Sequence, residues 1–115
     1  MRIISGIHKG RRIVAPKNLA VRPTTDRAKE SLFNILENKY ILEEKKILDL
    51  FCGTGNISFE FSSRYKSEIT AVDINKKCIR FVEKINKETL FLSSDCSLRS
   101  CLLKQNFEHL ALPLE

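Results

Sequence analysis

Two short apolar runs divide the middle of this chain. Residues 47–51 (ILDLF) and 69–73 (ITAVD) are mainly apolar and typical of strands in a parallel sheet, and we interpret residues 47–51 as a buried strand. Between them, residues 57–61 (ISFEF) predict a short helix that packs its aromatic side chains against the sheet. The pattern therefore predicts a β-α-β unit.

A helix is predicted ahead of this unit. Thr24 or Thr25 can cap it, Asp26 lies in its first turn, where negative charge is favoured, and it should run to about Glu37. Its predicted apolar stripe is Ala28, Leu32, Ile35 and Leu36, with Lys29, Glu30, Asn34 and Glu37 largely outside.

After the second strand, Asp73 or Asn75 can cap a further helix with Cys78, Val82 and Ile85 on its inner side. Residues 90–93 are the candidate third strand, and Asp95 follows them. A last amphipathic helix is predicted from Leu98, Leu102, Leu103 and Phe107.

The N-terminus has a different pattern. Residues 2–6 and 12–15 are strand-like and are joined by a connection with a glycine at each end, which predicts a small hairpin with His8 and Lys9 at its tip. Prolines 16 and 23 bound a stiff, extended connector. We therefore divide the chain into residues 1–23, the basic hairpin and connector, and residues 24–115, the sheet-forming domain.

Charge is concentrated in that first part. Residues 1–29 carry eight Lys or Arg against one acid, whereas the remaining 86 residues carry 12 against 13. Such a block attracts phosphates in a salt-dependent way, and the alternative is a solvated surface that aids solubility.

The length of the chain, its apolar runs and its cysteine spacing argue against several classes of protein. A chain of 115 residues is enough for one core. No apolar run approaches the roughly 18 residues of a membrane span, and no signal-peptide pattern is present, so we expect a cytoplasmic protein without membrane contact. The four cysteines match no metal-ligand or redox spacing, and we interpret them as reduced apolar residues with no metal.

The candidate chemistry lies where the first strand meets Gly53 and Gly55. Glycines there let backbone N–H groups at a helix start meet a polar ligand directly. Asp49, four residues before Gly53, would repel a pyrophosphate but accept hydrogen bonds from an ammonium. Asp73, 18 residues after Gly55, is near the offset at which an acid binds a ribose diol. A cationic nucleoside is favoured over a nicotinamide dinucleotide, because the third glycine of that motif is absent.

These stretches resemble a known family. The sequence MRIISGIHKGRRIVAPKNLAVRPTTDRAKESLFNIL, followed by ILDLFCGTGNISFE and ITAVDINKKCIRFVEKINKE, is similar to class I S-adenosylmethionine-dependent methyltransferases, and within them to the RsmD-like bacterial enzymes that methylate N2 of a guanine in small-subunit (16S) ribosomal RNA. The resemblance covers about residues 1–88.

The resemblance implies a Rossmann-like α/β fold, S-adenosylmethionine as cofactor, and ribosomal RNA, free or in an assembled particle, as the partner of a monomer. It implies these cofactor contacts: Thr25, Asp49, Phe51, Gly53, Gly55, Asp73, Ile74 and, for the adenine amino group, Asp95. It implies these RNA contacts: Arg2, His8, Lys9, Arg11, Arg12, Lys17 and Arg22.

The sequence departs from the family in its last part. The Asn or Asp, Pro, Pro, Tyr or Phe motif that would hold the guanine is absent, since the only late proline is Pro113. We therefore assign no catalytic residue and expect an incomplete sheet, as in a truncated or frameshifted copy. The alternative function is a catalytically inactive fragment that binds RNA or cofactor.

Overall fold

A computed structural model describes residues 1–19, 22, 24–90 and 97–102, and for residues 89, 90 and 97–102 it gives the course of the backbone alone. The helices are α1 (Asp26–Lys39), α2 (Asn56–Arg64) and α3 (Lys76–Leu90). The strands are β1 (Lys46–Leu50), β2 (Glu68–Asp73) and β3 (Ser97–Leu102).

The three strands form a parallel sheet in the order β1-β2-β3. Ile47 pairs with Ile69, and Asp73 pairs with Leu102, so the carboxyl ends of the strands lie at one edge. Both crossovers run in the same direction, and right-handed crossovers of that kind put α2 and α3 on the same face. The predicted Rossmann-like α/β fold is confirmed.

The core lies between that face and the helices. It joins Ile69 and Ala71 of β2 to aromatic and aliphatic side chains of all three helices and of the N-terminal segment, namely Phe33, Phe59, Phe61, Phe81, Val82, Ile3 and Ile13. Because Ile3 and Ile13 belong to this cluster, the N-terminal segment is packed into the fold.

The prediction that residues 47–51 form a buried strand is only half right. β1 is parallel to β2, but Leu48 is 37% exposed and Leu50 43% exposed. They alternate with Ile47 and Asp49, so they point to the sheet face opposite the helices, where no described element covers them.

The apolar face predicted for α1 differs from the face that the helix buries. Thr25 caps the helix as expected, its side chain accepting a hydrogen bond from the N–H of Ala28. However, Ala28, Leu32 and Ile35 are exposed, whereas Leu36 packs against the core as predicted. The helix buries Phe33 and Lys29 instead. Phe33 packs against Phe61 with ring centroids 4.7 Å apart.

Lys29 is buried because α2 supplies its partner. Its ammonium lies 3.0 Å from the Glu60 carboxylate, and both side chains are 0% exposed. The same ammonium donates to the carbonyl of Arg2 at 2.6 Å and to the side-chain oxygen of Asn56 at 2.8 Å. One charge therefore connects α1, α2 and the N-terminal segment.

Glu60 is held from several sides. The N–H groups of Ile4 and Ser5 donate to its carboxylate, and so does the Arg64 guanidinium at 2.8 Å. Burial alone would raise the pKa of Glu60, but the hydrogen bonds from Arg64, Ile4 and Lys29 and the charge of Lys29 outweigh it, so its pKa lies below the usual value.

The N-terminal hairpin is present but short. Arg2 and Arg12 form a single antiparallel bridge. Its turn docks on the end of α2, where the N–H groups of Ile7 and His8 donate to Ser63. Gly6 has φ +92°, and a Cβ there would lie 1.9 Å from the carbonyl oxygen of Ser63, so only glycine permits this approach.

The predicted third strand, residues 90–93, is contradicted at Leu90, and residues 91–93 lie outside the described residues. Leu90 belongs to α3, while the strand is Ser97–Leu102, which includes Leu98 and Leu102, two residues predicted to start a last helix. Helix-forming residues continue the pattern of α3 up to Glu88, and pairing with β2 holds residues 97–102 extended whatever their helical spacing. Leu103 and Phe107 lie outside the described residues.

We expect replacement of Lys29 by methionine to destabilise the fold by about 3 kcal/mol, because it removes one partner of a buried pair and leaves the other charged. The matched control is Lys39→Met, an exposed lysine of the same helix, which should change the free energy of unfolding by less than about 1 kcal/mol. Urea unfolding measures both, and equal effects of the two variants would contradict the assignment.

Candidate functional site

The glycine loop starts from the carboxyl end of β1. Phe51 adopts φ +60°, an unusual conformation for a bulky residue, and Gly53 and Gly55 also have positive φ. The N–H of Cys52 donates to the carbonyl of Val72 at 2.9 Å, which ties the loop to β2. Gly55, at φ +83°, then precedes the first residue of α2.

Gly55 is required for packing. A Cβ at this position would lie 2.8 Å from the Phe59 ring and 3.1 Å from Val82, so a larger residue would push α2 and α3 away from the loop. From the sequence, we interpret the glycines as allowing close approach of a ligand. The structure shows that Gly55 also allows α2 and α3 to approach the loop closely.

Asp73 closes the loop. Its carboxylate accepts the N–H of Gly53 at 2.8 Å through one oxygen and the N–H of Asn75 at 2.8 Å through the other. Asn75 in turn accepts the N–H of Lys77, which confirms the predicted cap of α3. A carboxylate has about four acceptor positions, so Asp73 can accept two further hydrogen bonds.

Asp49 faces the start of α2. Its carboxylate accepts a 2.6 Å hydrogen bond from the Ser58 hydroxyl. Burial raises the pKa of Asp49, the hydrogen bonds from Ser58 lower it, and the nearby charge of Asp73 raises it, with a net shift upward. In the described part of the chain, neither Asp49 nor Asp73 is ion-paired.

Two large apolar residues flank these carboxylates. Phe51 is 61% exposed and Ile74 is 49% exposed, one after each of the two strands. Both were predicted as cofactor contacts, and their position beside the loop leaves apolar surface open to a ligand.

Thr25 belongs to the same neighbourhood. The side-chain amide of Asn56, the first residue of α2, donates to the carbonyl of Thr24 at 2.8 Å, so the turn before α1 lies against the loop. The structure therefore brings seven of the eight predicted cofactor residues to this edge of the fold. Asp95, the eighth, lies outside the described residues.

Sequence reasoning missed Ser58 and Asn56. Both are short polar residues in the first turn of α2, and both are buried. A polar residue at a helix start normally indicates capping, so nothing in the local sequence shows that Ser58 bonds the strand carboxylate or that Asn56 bonds the turn before α1.

The predicted RNA contacts divide into two groups. Arg2 is ion-paired to Asp26 at 3.4 Å and lines one recess with Lys9, whereas Arg11 and Arg12 line another recess beside α3. Lys17 and Arg22 are exposed. His8 is half-buried, and burial together with the Arg11 charge lowers its pKa.

The described residues contain no cluster of His, Cys, Asp and Glu able to hold a metal ion. Among these residues, no helix has the length and apolar character needed to cross a bilayer. Cys52 and Cys78 are free thiols.

Comparison with known proteins gives a consistent result. A family model described as "Conserved hypothetical protein 95" matches residues 1–112. This match extends past residue 88, where the resemblance seen in the sequence ends. Ribosomal RNA small subunit methyltransferase D of Haemophilus influenzae is 38% identical over 95 residues, which cover 83% of this chain and 48% of that protein. The protein of the same name from Buchnera aphidicola subsp. Baizongia pistaciae is 40% identical over 85 residues, covering 74% and 43%.

A solved structure agrees with these relatives. The Escherichia coli protein yhhF, described as a candidate methyltransferase, superimposes with a TM-score of 0.69 at 25% identity, over 89% of this chain and 52% of that one. The chain thus spans about half the length of the relatives that it matches.

The thiol of Cys52 offers a test of the electrostatics of the loop. Burial raises its pKa to about 12, with further contributions from the charges of Asp49 and Asp73. Since the thiolate is the nucleophile, we expect iodoacetamide to alkylate Cys52 roughly 30 to 100 times more slowly than free cysteine at about pH 8.

Peptide mass spectrometry separates Cys52 from the other cysteines. Asp49→Asn should accelerate its alkylation, and Asp26→Asn, a change at the start of α1, should not. A rate equal to that of free cysteine would contradict the described environment.

Proposed function

The chain belongs to the Conserved hypothetical protein 95 family, and on that premise we propose that it binds S-adenosylmethionine for methylation of the exocyclic N2 amine of a guanine in small-subunit ribosomal RNA. Its relatives are methyltransferases by name, and its fold is theirs. A ribosomal RNA substrate implies work in the cytoplasm.

The observation that best supports S-adenosylmethionine as the cofactor is the pair of carboxylates formed by Asp49 and Asp73. Asp49 and Asp73 lie close enough to affect each other, both are largely withdrawn from water, and no described cation neutralises them. Two such carboxylates favour a positively charged ligand, because a cation relieves both their repulsion and the cost of their burial. The residues present therefore fit S-adenosylmethionine.

Each residue then has a defined task. Asp49, which is oriented by its hydrogen bond from Ser58, accepts a hydrogen bond from the α-ammonium of the ligand. Asp73 uses its remaining acceptor positions for the ribose hydroxyls, while Phe51 and Ile74 offer apolar surface to the adenine. When bound, the cofactor supplies an electrophilic methyl group on a sulfonium.

The basic N-terminal segment supports the RNA part of the proposal. Arg11, Arg12 and Lys17 are free of ion pairs in the described chain. Two relatives are named as ribosomal RNA small subunit methyltransferases, and the sequence resemblance points to N2 of guanine.

A second candidate is favoured by one observation on the sequence. It contains no Asn or Asp, Pro, Pro, Tyr or Phe motif, and nothing described orients a guanine amine toward a methyl group. Such catalysis depends mostly on positioning, so a chain without these groups would bind cofactor or RNA without turnover. Methyl transfer to RNA by this chain alone separates the two candidates.

Calorimetric titration with S-adenosylmethionine tests the proposed cofactor. Asp49→Asn keeps an acceptor for Ser58 but removes the charge, and we expect it to weaken binding by about 1 to 3 kcal/mol, or roughly 5- to 150-fold. The control is Glu68→Gln, an equivalent change at the opposite, amino end of β2, which should leave the affinity unchanged.

Thermal unfolding would verify that both variants are folded. Absence of binding by the unaltered chain, or equal losses in the two variants, would refute this proposal.

The affinity should also depend on pH. The pKa of Asp49 is raised, mainly by burial, so protonation of this group begins at a higher pH than for an ordinary aspartate. Since only the carboxylate attracts the ammonium, binding should weaken as the pH falls from about 7 toward the raised pKa, and Asp49→Asn should remove this part of the pH dependence. An identical profile in the variant would exclude Asp49 as its source.

A further inference from the structure

A groove runs between the N-terminal segment and α3. Its volume is about 490 Å³. Buried Ile13, Leu19 and Phe81 form its floor, so the segment is fixed against the helix by core packing. The groove is separate from the glycine loop, whose residues do not line it.

The walls of this groove are strongly basic. Arg11 and Arg12 lie on one side and Lys77, Arg80 and Lys84 on the other, with Glu88 as the only acid among the described residues that line it. None of these five cations is ion-paired to a described residue. Five cations against one acid in one concave surface produce a positive potential that attracts a polyanion.

The cations of α3 are regularly spaced. Lys77, Arg80 and Lys84 follow the three- and four-residue spacing of one helix face. With a rise of about 1.5 Å per residue, Lys77 and Lys84 are about 10 Å apart along the axis. This length is comparable to the separation of a few successive phosphates along a nucleic-acid strand.

We propose that this groove binds the RNA backbone, so that the RNA interface extends from the N-terminal segment onto Lys77, Arg80 and Lys84 of α3. The inference rests on the proposed function, because RNA is the polyanion which that function supplies. Exposed Val14, on the rim, adds an apolar contact for a sugar or base. An acidic protein surface is the competing occupant.

The helix provides a matched test. Lys77→Gln with Lys84→Gln removes two charges from the groove, whereas Lys76→Gln with Lys87→Gln removes two charges from exposed positions of the same helix outside it. The probe is a short, fluorescently labelled, single-stranded RNA of mixed sequence, titrated at several salt concentrations.

We expect the groove variant to raise the Kd about tenfold and the control to change it by less than about twofold. The slope of log K against log salt should fall by about 1.4 in the groove variant, because each lost phosphate contact removes about 0.7. Unchanged melting temperatures establish that both variants are folded.

Equal weakening by the two variants, or none by the groove variant, would overturn the groove and leave the proposed function intact. Failure of the unaltered chain to bind RNA would overturn both. Poly-glutamate that displaces the RNA at equal charge concentration would assign the groove to acidic proteins and overturn the RNA assignment.

Discussion

The buried ion pair of Lys29 and Glu60 is the constraint on which the rest of this structure depends. Each charge is withdrawn from water, and removal of one partner leaves the other buried without its opposite charge. The pair is satisfied only when α1, α2 and the N-terminal segment meet in one arrangement, because Arg2, Ile4 and Ser5 also contribute backbone groups to it. The charges therefore specify the assembly of three segments that are distant in sequence.

This assembly reaches the candidate site through α2. Asn56 accepts from Lys29 and donates to Thr24, and Ser58, half a turn further along the helix, donates to Asp49. The buried network and the glycine loop are thus connected by the same short helix. A change that moves α2 to relieve the ion pair would also move the partner of Asp49.

The features that were predicted correctly from the sequence are those that depend on residues close together in the chain. The glycine loop, the carboxylates at the ends of β1 and β2, and the caps provided by Thr25 and Asn75 depend on residues a few positions apart, and all appear as expected. The burial of Lys29 depends on Glu60, 31 positions later, and no periodicity within α1 can reveal it. In the same way, β3 is defined by its pairing with β2, so its own leucine spacing misled the prediction.

The position of β1 in the sheet connects the fold with the candidate site. Among the described strands β1 lies at an edge, its outer leucines are partly exposed, and it carries Asp49. An unpaired edge with apolar side chains is the place where a parallel sheet accepts another strand. A strand added there would pair with the backbone of β1 and would end beside Asp49, since parallel strands have their carboxyl ends at one edge. The open edge of the described sheet and the candidate site therefore adjoin at Asp49, in a chain that spans about half the length of the relatives that it matches.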